Sequence, residues 1–144
     1  MVTVRQVLRD KGSDIWSVSP DATVFEAIQV MAERGVGALL VMEWSRLVGI
    51  ISERDYTRKV VLKDRSSRAT KVRDIMTQKV IHVSPDTSID ECMILMSDNS
   101  IRHLPVLDGE RVAGILSVKD VLHNIISEKQ SLIQQLESYI TGTA

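Results

Sequence analysis

A mixed α/β (α+β) fold of two β-α-β-β-α repeats, packed sheet to sheet about a pseudo-two-fold axis, is the architecture this sequence predicts. Three observations predict it. Shifting the chain by 65 residues lays positions 18–58 on 83–123 without a gap, and 13 of those 41 positions are identical; unrelated sequences would match at roughly two or three. The apolar spacing changes from a helical to an extended period at the same place in both copies. Each copy then ends in the same break, Gly-Ile-Ile-Ser-Glu-Arg-Asp at 49–55 and Gly-Ile-Leu-Ser-Val-Lys-Asp at 114–120.

The elements follow in order. An extended segment, IWSVSP or VIHVSP, opens each copy. Thr23 and Ser88 come next, with Glu26 and Glu91 three residues on, the pattern of a capping box at a helix start. Val24, Ala27, Ile28 and Met31, mirrored by Ile89, Cys92, Met93 and Met96, form one helical stripe, and the methionines read as core filling. Two strands follow, ALLVM with RLVGII and HLPVL with RVAGIL. Asp108-Gly109 marks the second hairpin turn, and Trp44 falls at the tip of the first. A second helix starts after Ser52 and Ser117. The chain closes with a long helix over 121–140 whose apolar face is Leu122, Ile125, Ile126, Ile133, Leu136 and Ile140. The organisation expected is one module over 1–144, with a first repeat over 3–63, a linker over 64–71, a second repeat over 72–130 and the extended C-terminal helix over 121–140.

Composition narrows the function. With 144 residues, 44% hydrophobic and 26% charged, the chain has the makeup of an ordinary globular domain or two fused halves. No apolar run approaches the ~20 residues of a membrane helix, and the early charges of MVTVRQVLRDKG do not read as a signal peptide. A cytoplasmic location without membrane contact is the expectation. A formal net charge of −1 argues against holding a nucleic-acid polymer. Charge is uneven, however: residues 53–74 carry eight basic side chains against four acids. Most of these read as a solvated face, with one or two available to a small anion. His82, His103 and His123 lack ligand-like spacing, and Cys92, the one cysteine, sits on the apolar helix stripe. Neither a metal site, a catalytic nucleophile nor a redox thiol is expected, so the chain is read as no enzyme.

The repeated Ser-x-x-Asp has two readings. As a local device it is a capping box, Ser52 with Asp55 and Ser117 with Asp120. As a binding device, a helix start attracts anions, but an Asp in its first turn repels phosphate and suits paired hydroxyls such as those of a ribose. The basic residue before each Asp, Arg54 or Lys119, would then meet the phosphate. Ribose to Asp and phosphate to base describe a nucleotide.

Two tandem copies of this unit with VSPDAT, VGALLVM, IRHLPVLD and the Gly-h-h-Ser-x-x-Asp endings resemble a pair of cystathionine-beta-synthase (CBS) domains, a Bateman module. GIISERDYTRKV, RSSRATKVRDIMT and NSIRHLPV are similar to stand-alone two-CBS proteins. The resemblance implies a regulatory, signal-transducing sensor of AMP, ADP, ATP, NAD(H) or S-adenosylmethionine, a homodimer acting on an unidentified regulated protein. By position it implies a first cleft with Ser117, Lys119 and Asp120 at ribose and phosphate, Arg102 at a phosphate, and Trp16, Val36 and Ile115 around the base. A second would use Ser52, Arg54 and Asp55, with Ile50, Ile81 and Ile101 around the base. Where the second copy has Arg102-His103 the first has Gly37-Ala38, so the clefts should be unequal and the first favoured, unless the linker residues Arg68, Thr70 and Lys71 compensate. Two rivals stand beside this reading: a structural or partner-binding dimer with empty clefts, and a regulator of a thioredoxin-like redox partner.

Overall fold

The structure is a computed structural model and describes residues 1–142. It is mixed α/β, with two small sheets and helices, in two compact units. Unit 2 comprises residues 14–82 with the hairpin residues 108–112; unit 1 comprises residues 1–13, 83–107 and the chain from 113 onward.

Unit 2 holds the first repeat from residue 14, the linker and the short helix over 72–75, which the sequence reading places at the start of the second repeat. Strand β1 (Ser17–Val18) pairs parallel with β2 (Ala38–Glu43), which pairs antiparallel with β3 (Arg46–Ser52). Helix α2 (Val24–Arg34) starts at Thr23, whose hydroxyl accepts from the Glu26 N–H while the Glu26 carboxylate returns to the Thr23 N–H, and it stops at Gly35 in the left-handed region, φ 65°. A short helix α3 (Glu53–Tyr56) follows β3 and continues as one π-helical turn over Thr57–Val61. Helix α4 (Val72–Ile75) completes the unit, and its core is Val24, Ala27, Met31, Leu39, Val41, Ile51, Val60, Val72 and Ile75. Trp44 stands at the hairpin tip, 97% exposed.

Unit 1 joins the N-terminal helix α1 (Val4–Lys11) to the second repeat: α5 (Ile89–Asn99), the hairpin β4 (His103–Asp108) with β5 (Arg111–Ser117), and α6 (Val118–Thr141). The extended start of this repeat forms one bridge among the described residues, Val83 with Val106. Ser88 caps α5 through its hydroxyl, and Cys92, Met96, Leu104, Val106, Leu116 and Val121 are buried. Gly109 takes φ 65° in the hairpin turn, as the Asp-Gly pair predicts.

Each unit therefore borrows a short helix from outside the 65-residue repeat, and the two are held alike. The Val4 and Arg5 N–H groups donate to Thr87 and Pro85 carbonyls at 2.8 and 2.9 Å; those of Val72 and Arg73 donate to Ala22 and Pro20 at 2.8 and 3.0 Å. The Arg5–Asp86 and Arg73–Asp21 ion pairs, 2.9 and 2.7 Å, repeat the match. The repeat boundaries of the sequence follow chain order; the compact units follow space.

Candidate ligand-binding helix entrances

Both Ser-x-x-Asp segments sit where β3 or β5 turns into a helix, and both are capping boxes. The Asp55 N–H donates to Ser52 Oγ at 3.2 Å, and the Ser52 N–H returns to Asp55 Oδ2 at 3.0 Å. The Asp120 N–H donates to Ser117 Oγ at 3.2 Å, and the Ser117 N–H returns to Asp120 Oδ2 at 2.8 Å. The first helical N–H of each is taken by a carbonyl one strand away: Glu53 on Gly37 at 3.1 Å, Val118 on Arg102 at 2.8 Å. This backbone bond places Arg102 beside the α6 entrance and Gly37 beside the α3 entrance.

The carboxylates differ in what else they meet. Asp55 is buried, 8% exposed. Its Oδ1 lies 2.9 Å from Lys59 Nζ and accepts from the Thr77 hydroxyl at 3.3 Å, so both oxygens are engaged inside unit 2. Lys59 also donates to the Ile75 carbonyl at 2.8 Å. Asp120 is more open, its side chain 23% exposed. Lys11 Nζ reaches the same Oδ2 that the cap uses, at 2.7 Å, and Oδ1 takes no hydrogen bond among the described residues. Burial pushes the Asp120 carboxyl up, but the Lys11 ammonium and the Ser117 backbone N–H outweigh it and hold the group below its ordinary value.

The backbone edges differ too. In unit 2, Ile50 and Thr77 exchange two backbone hydrogen bonds, 3.0 and 2.9 Å, so α4's trailing residues close that edge as a strand would. In unit 1 the matching carbonyl, that of Ile115, accepts a side chain, Lys11 Nζ at 2.8 Å, with no backbone bridge of that kind among the described residues.

The remaining candidates fall as follows. Within unit 1, Arg102 and Lys119 are exposed, and Ile101, Ile115, Ser117 and Asp120 half-buried. Within unit 2, Val36, Gly37, Ile50, Ser52 and Ile81 are half-buried and Arg54 exposed. Trp16, at the edge of exposure, has the Arg34 guanidinium 4.1 Å from its ring centre. The linker is engaged locally: Arg68 stacks on Phe25 at 3.8 Å, and the buried Thr70 donates to the Ser66 carbonyl at 2.6 Å.

Sequence reasoning missed Lys11, Lys59 and Thr77. Lys59 was visible as a base four residues after Asp55. Lys11 had a fainter trace, a second repeat at an offset of 68 that lays VRQVLRDK on VRDIMTQK. No group of three or more His, Cys, Asp or Glu among the described residues is arranged to hold a metal ion. No described helix is long and apolar enough to cross a membrane.

Comparison with known proteins fits this geometry. The CBS-domain family profile matches residues 2–62 and 72–127. A mitochondrial CBS domain-containing protein of Arabidopsis thaliana, CBSX3, is 41% identical over 97% of this chain and 72% of its own length. The solved structure of a protein with CBS domains from Burkholderia ambifaria is 49% identical, with a TM-score of 0.84 over 88% of this chain and 95% of its own. The CBS domain pair of protein MJ0100, solved with 5′-methylthioadenosine and S-adenosyl-L-methionine, superposes with a TM-score of 0.79 over 89% of this chain and 98% of its own; at 24% identity it speaks for the fold.

Proposed function

Because this chain belongs to the CBS-domain family, as a tandem pair of CBS repeats, we propose that it is a non-catalytic regulatory module that binds an adenosyl nucleotide at the α6 entrance. AMP, ADP, ATP, NAD(H) and S-adenosylmethionine are the candidate ligands, and a protein partner would read the bound state. The observation that carries this reading is the Asp120 carboxylate, capped through Oδ2 and with no hydrogen bond to Oδ1 among the described residues, between the half-buried Ile115 and the exposed Lys119. An ionised carboxylate with a spare oxygen accepts a ribose hydroxyl. Arg102 and Lys119 supply cations for a phosphate, and Ser117 shapes the turn. The α3 entrance, with Ser52, Arg54 and Asp55, is the weaker candidate, since its carboxylate and its strand edge are both filled.

The ligands of MJ0100 support the adenosyl class. The inosine-5′-monophosphate dehydrogenase of Methanocaldococcus jannaschii, 38% identical over a segment that makes up 21% of it, supports a module that serves other proteins. The test is thermal unfolding with AMP, ADP, ATP and NAD at millimolar concentration. A ligand that binds only the folded state stabilises it by mass action, by about 2.7 kcal/mol at a hundred times Kd, and so raises Tm. AMP should raise Tm and GMP less, because a pocket matched to adenine leaves guanine groups unpaired. No shift with any of the four would favour a structural role.

We further propose a homodimer. Leu122, Ile126, Ile133, Leu136 and Ile140 lie on one heptad stripe of α6 and are 44–80% exposed, so packing within the chain does not cover the face expected to be buried. With Leu132 and Tyr139 beside them, the exposed area is roughly 600–800 Å², close to the ~800 Å² per partner of a standard interface. A second copy presents the same stripe, as a two-fold contact requires.

A further inference from the structure

Lys11, the last residue of α1, fills the α6 entrance. Its ammonium donates to Asp120 Oδ2 at 2.7 Å and to the Ile115 carbonyl at 2.8 Å. These two acceptors flank Ser117, one on the end of β5 and one in the first turn of α6. They are an anionic acceptor and a backbone acceptor side by side, the pair that a polyhydroxylated, amine-bearing ligand would use. At the α3 entrance the equivalent carbonyl, that of Ile50, is held by the backbone of Thr77 at 2.9 Å. Clearing that edge means breaking a pair of backbone hydrogen bonds; clearing the Ile115 edge means swinging one flexible four-carbon side chain into water. The side chain is already 32% exposed, and Gly12 follows it with a φ of 92° and no atom within 4 Å of an added Cβ.

We propose that Lys11 is a built-in competitor at the α6 entrance: its ammonium occupies the Ile115 carbonyl and shares the Asp120 carboxylate through Oδ2, so an adenosyl ligand that takes Oδ1 must still displace it from the carbonyl, and Lys11 thereby sets the preference for phosphorylated over uncharged ligands. The inference rests on the adenosyl reading of that entrance. An uncharged nucleoside displaces the ammonium and gives nothing back. An anionic nucleotide offers the displaced ammonium a phosphate within reach of a long lysine stem. Lys11 is thus a specificity-determining residue rather than a plain ligand contact.

Calorimetric titration of wild type and Lys11→Met with 5′-methylthioadenosine and with AMP tests this. Methionine keeps much of the apolar stem and removes the charge. The variant should bind methylthioadenosine roughly fivefold more tightly, as expected for releasing a partly exposed ion pair, and its preference for AMP over methylthioadenosine should shrink. Equal or weaker binding of methylthioadenosine by Lys11→Met, with wild type binding either probe, overturns the competitor role and leaves the adenosyl reading standing. Binding of neither probe by either protein overturns both. Should Lys11→Met fail to fold, the ε-CH₂ resonance of Lys11 in wild type, assigned through Lys11→Arg, supplies the answer. It should shift on saturation with methylthioadenosine; an unmoved resonance with bound ligand overturns the proposal.

Discussion

Lys59 Nζ lies 2.9 Å from Asp55 Oδ1, four residues further along the chain, whereas Asn124, the matching residue of the second repeat, donates instead to the Asp120 carbonyl at 2.8 Å. The same Ser-x-x-Asp is thus sealed in one repeat and open in the other. Asp55→Ala should lower stability by about 1–3 kcal/mol, the cost of losing hydrogen bonds to a charged, buried group, and should leave adenosyl binding at the α6 entrance near wild type. Urea unfolding beside an AMP titration checks it. A large loss of AMP affinity without loss of stability would mean the ligand sits at the α3 entrance.

The two motif glycines should differ under substitution. A Cβ on Gly49 would stand 2.7 Å from Met76 Sδ and 3.0 Å from the Thr77 carbonyl, a backbone atom paired with Ile50; on Gly114 its three nearest neighbours would all be side-chain atoms of Leu8, the nearest 2.8 Å away. Overpacking costs about 1–3 kcal/mol. Gly49→Ala should fall near the top of that range and Gly114→Ala near the bottom, as read from urea midpoints. The reverse order would contradict the close approach of the segment after α4 to β3.

Acid should expose the Asp120 ion pair. Its carboxyl is held below the ordinary 3.8 in the folded state, Lys11 and the Ser117 N–H overcoming the effect of burial. A depressed folded value stabilises the fold above the unfolded value and loses that contribution as pH falls through it. Between pH 6 and pH 3 the urea midpoint of wild type should therefore fall more than that of Asp120→Asn. Parallel curves would remove the ion pair from the account.

Cys92 should behave as core. Burial first, and Glu91 second, push its thiol up to about 11. At pH 8 a disulfide reagent should label native Cys92 on the order of a hundredfold more slowly than the urea-unfolded chain. Rapid labelling of the native protein would revive a redox role.

Much of this was legible in the chain. Ser52, Asp55, Ser117 and Asp120 declared themselves because a break from strand to helix that occurs twice is not chance, and Thr23, Asp108 and Gly109 act through local chemistry that residue type alone dictates. The partners of the two carboxylates were harder to see. Lys11 meets Asp120 across 109 residues of chain, and α1 and α4 repeat at an offset of 68 that the main alignment hides. The π-helical turn over Thr57–Val61 has no counterpart in α6 and no sequence signature of its own. The cap and the ligand contact were also posed as alternatives for Asp120, yet a carboxylate has two oxygens and the cap uses one.

Pairing through α6 should be sensitive to charge on its stripe. Ile133→Asp with Leu136→Asp, both 54% exposed, should leave the fold intact and convert a dimer to a species of about 16 kDa in light scattering at tens of micromolar. A wild type already monomeric there would rule the dimer out.

The measurement that bears most directly on the adenosyl reading is calorimetric titration of AMP into wild type, Asp120→Asn and Asp55→Asn. Asparagine keeps one acceptor for the cap and gives up the charge and the second oxygen. Hydrogen bonds to charged groups contribute about 1.5–3 kcal/mol, so Asp120→Asn should bind AMP on the order of tenfold to a hundredfold more weakly, while Asp55→Asn stays near wild type. Equal binding by wild type and Asp120→Asn, or no binding by wild type, would leave the repeated Ser-x-x-Asp as a pair of helix caps and nothing more.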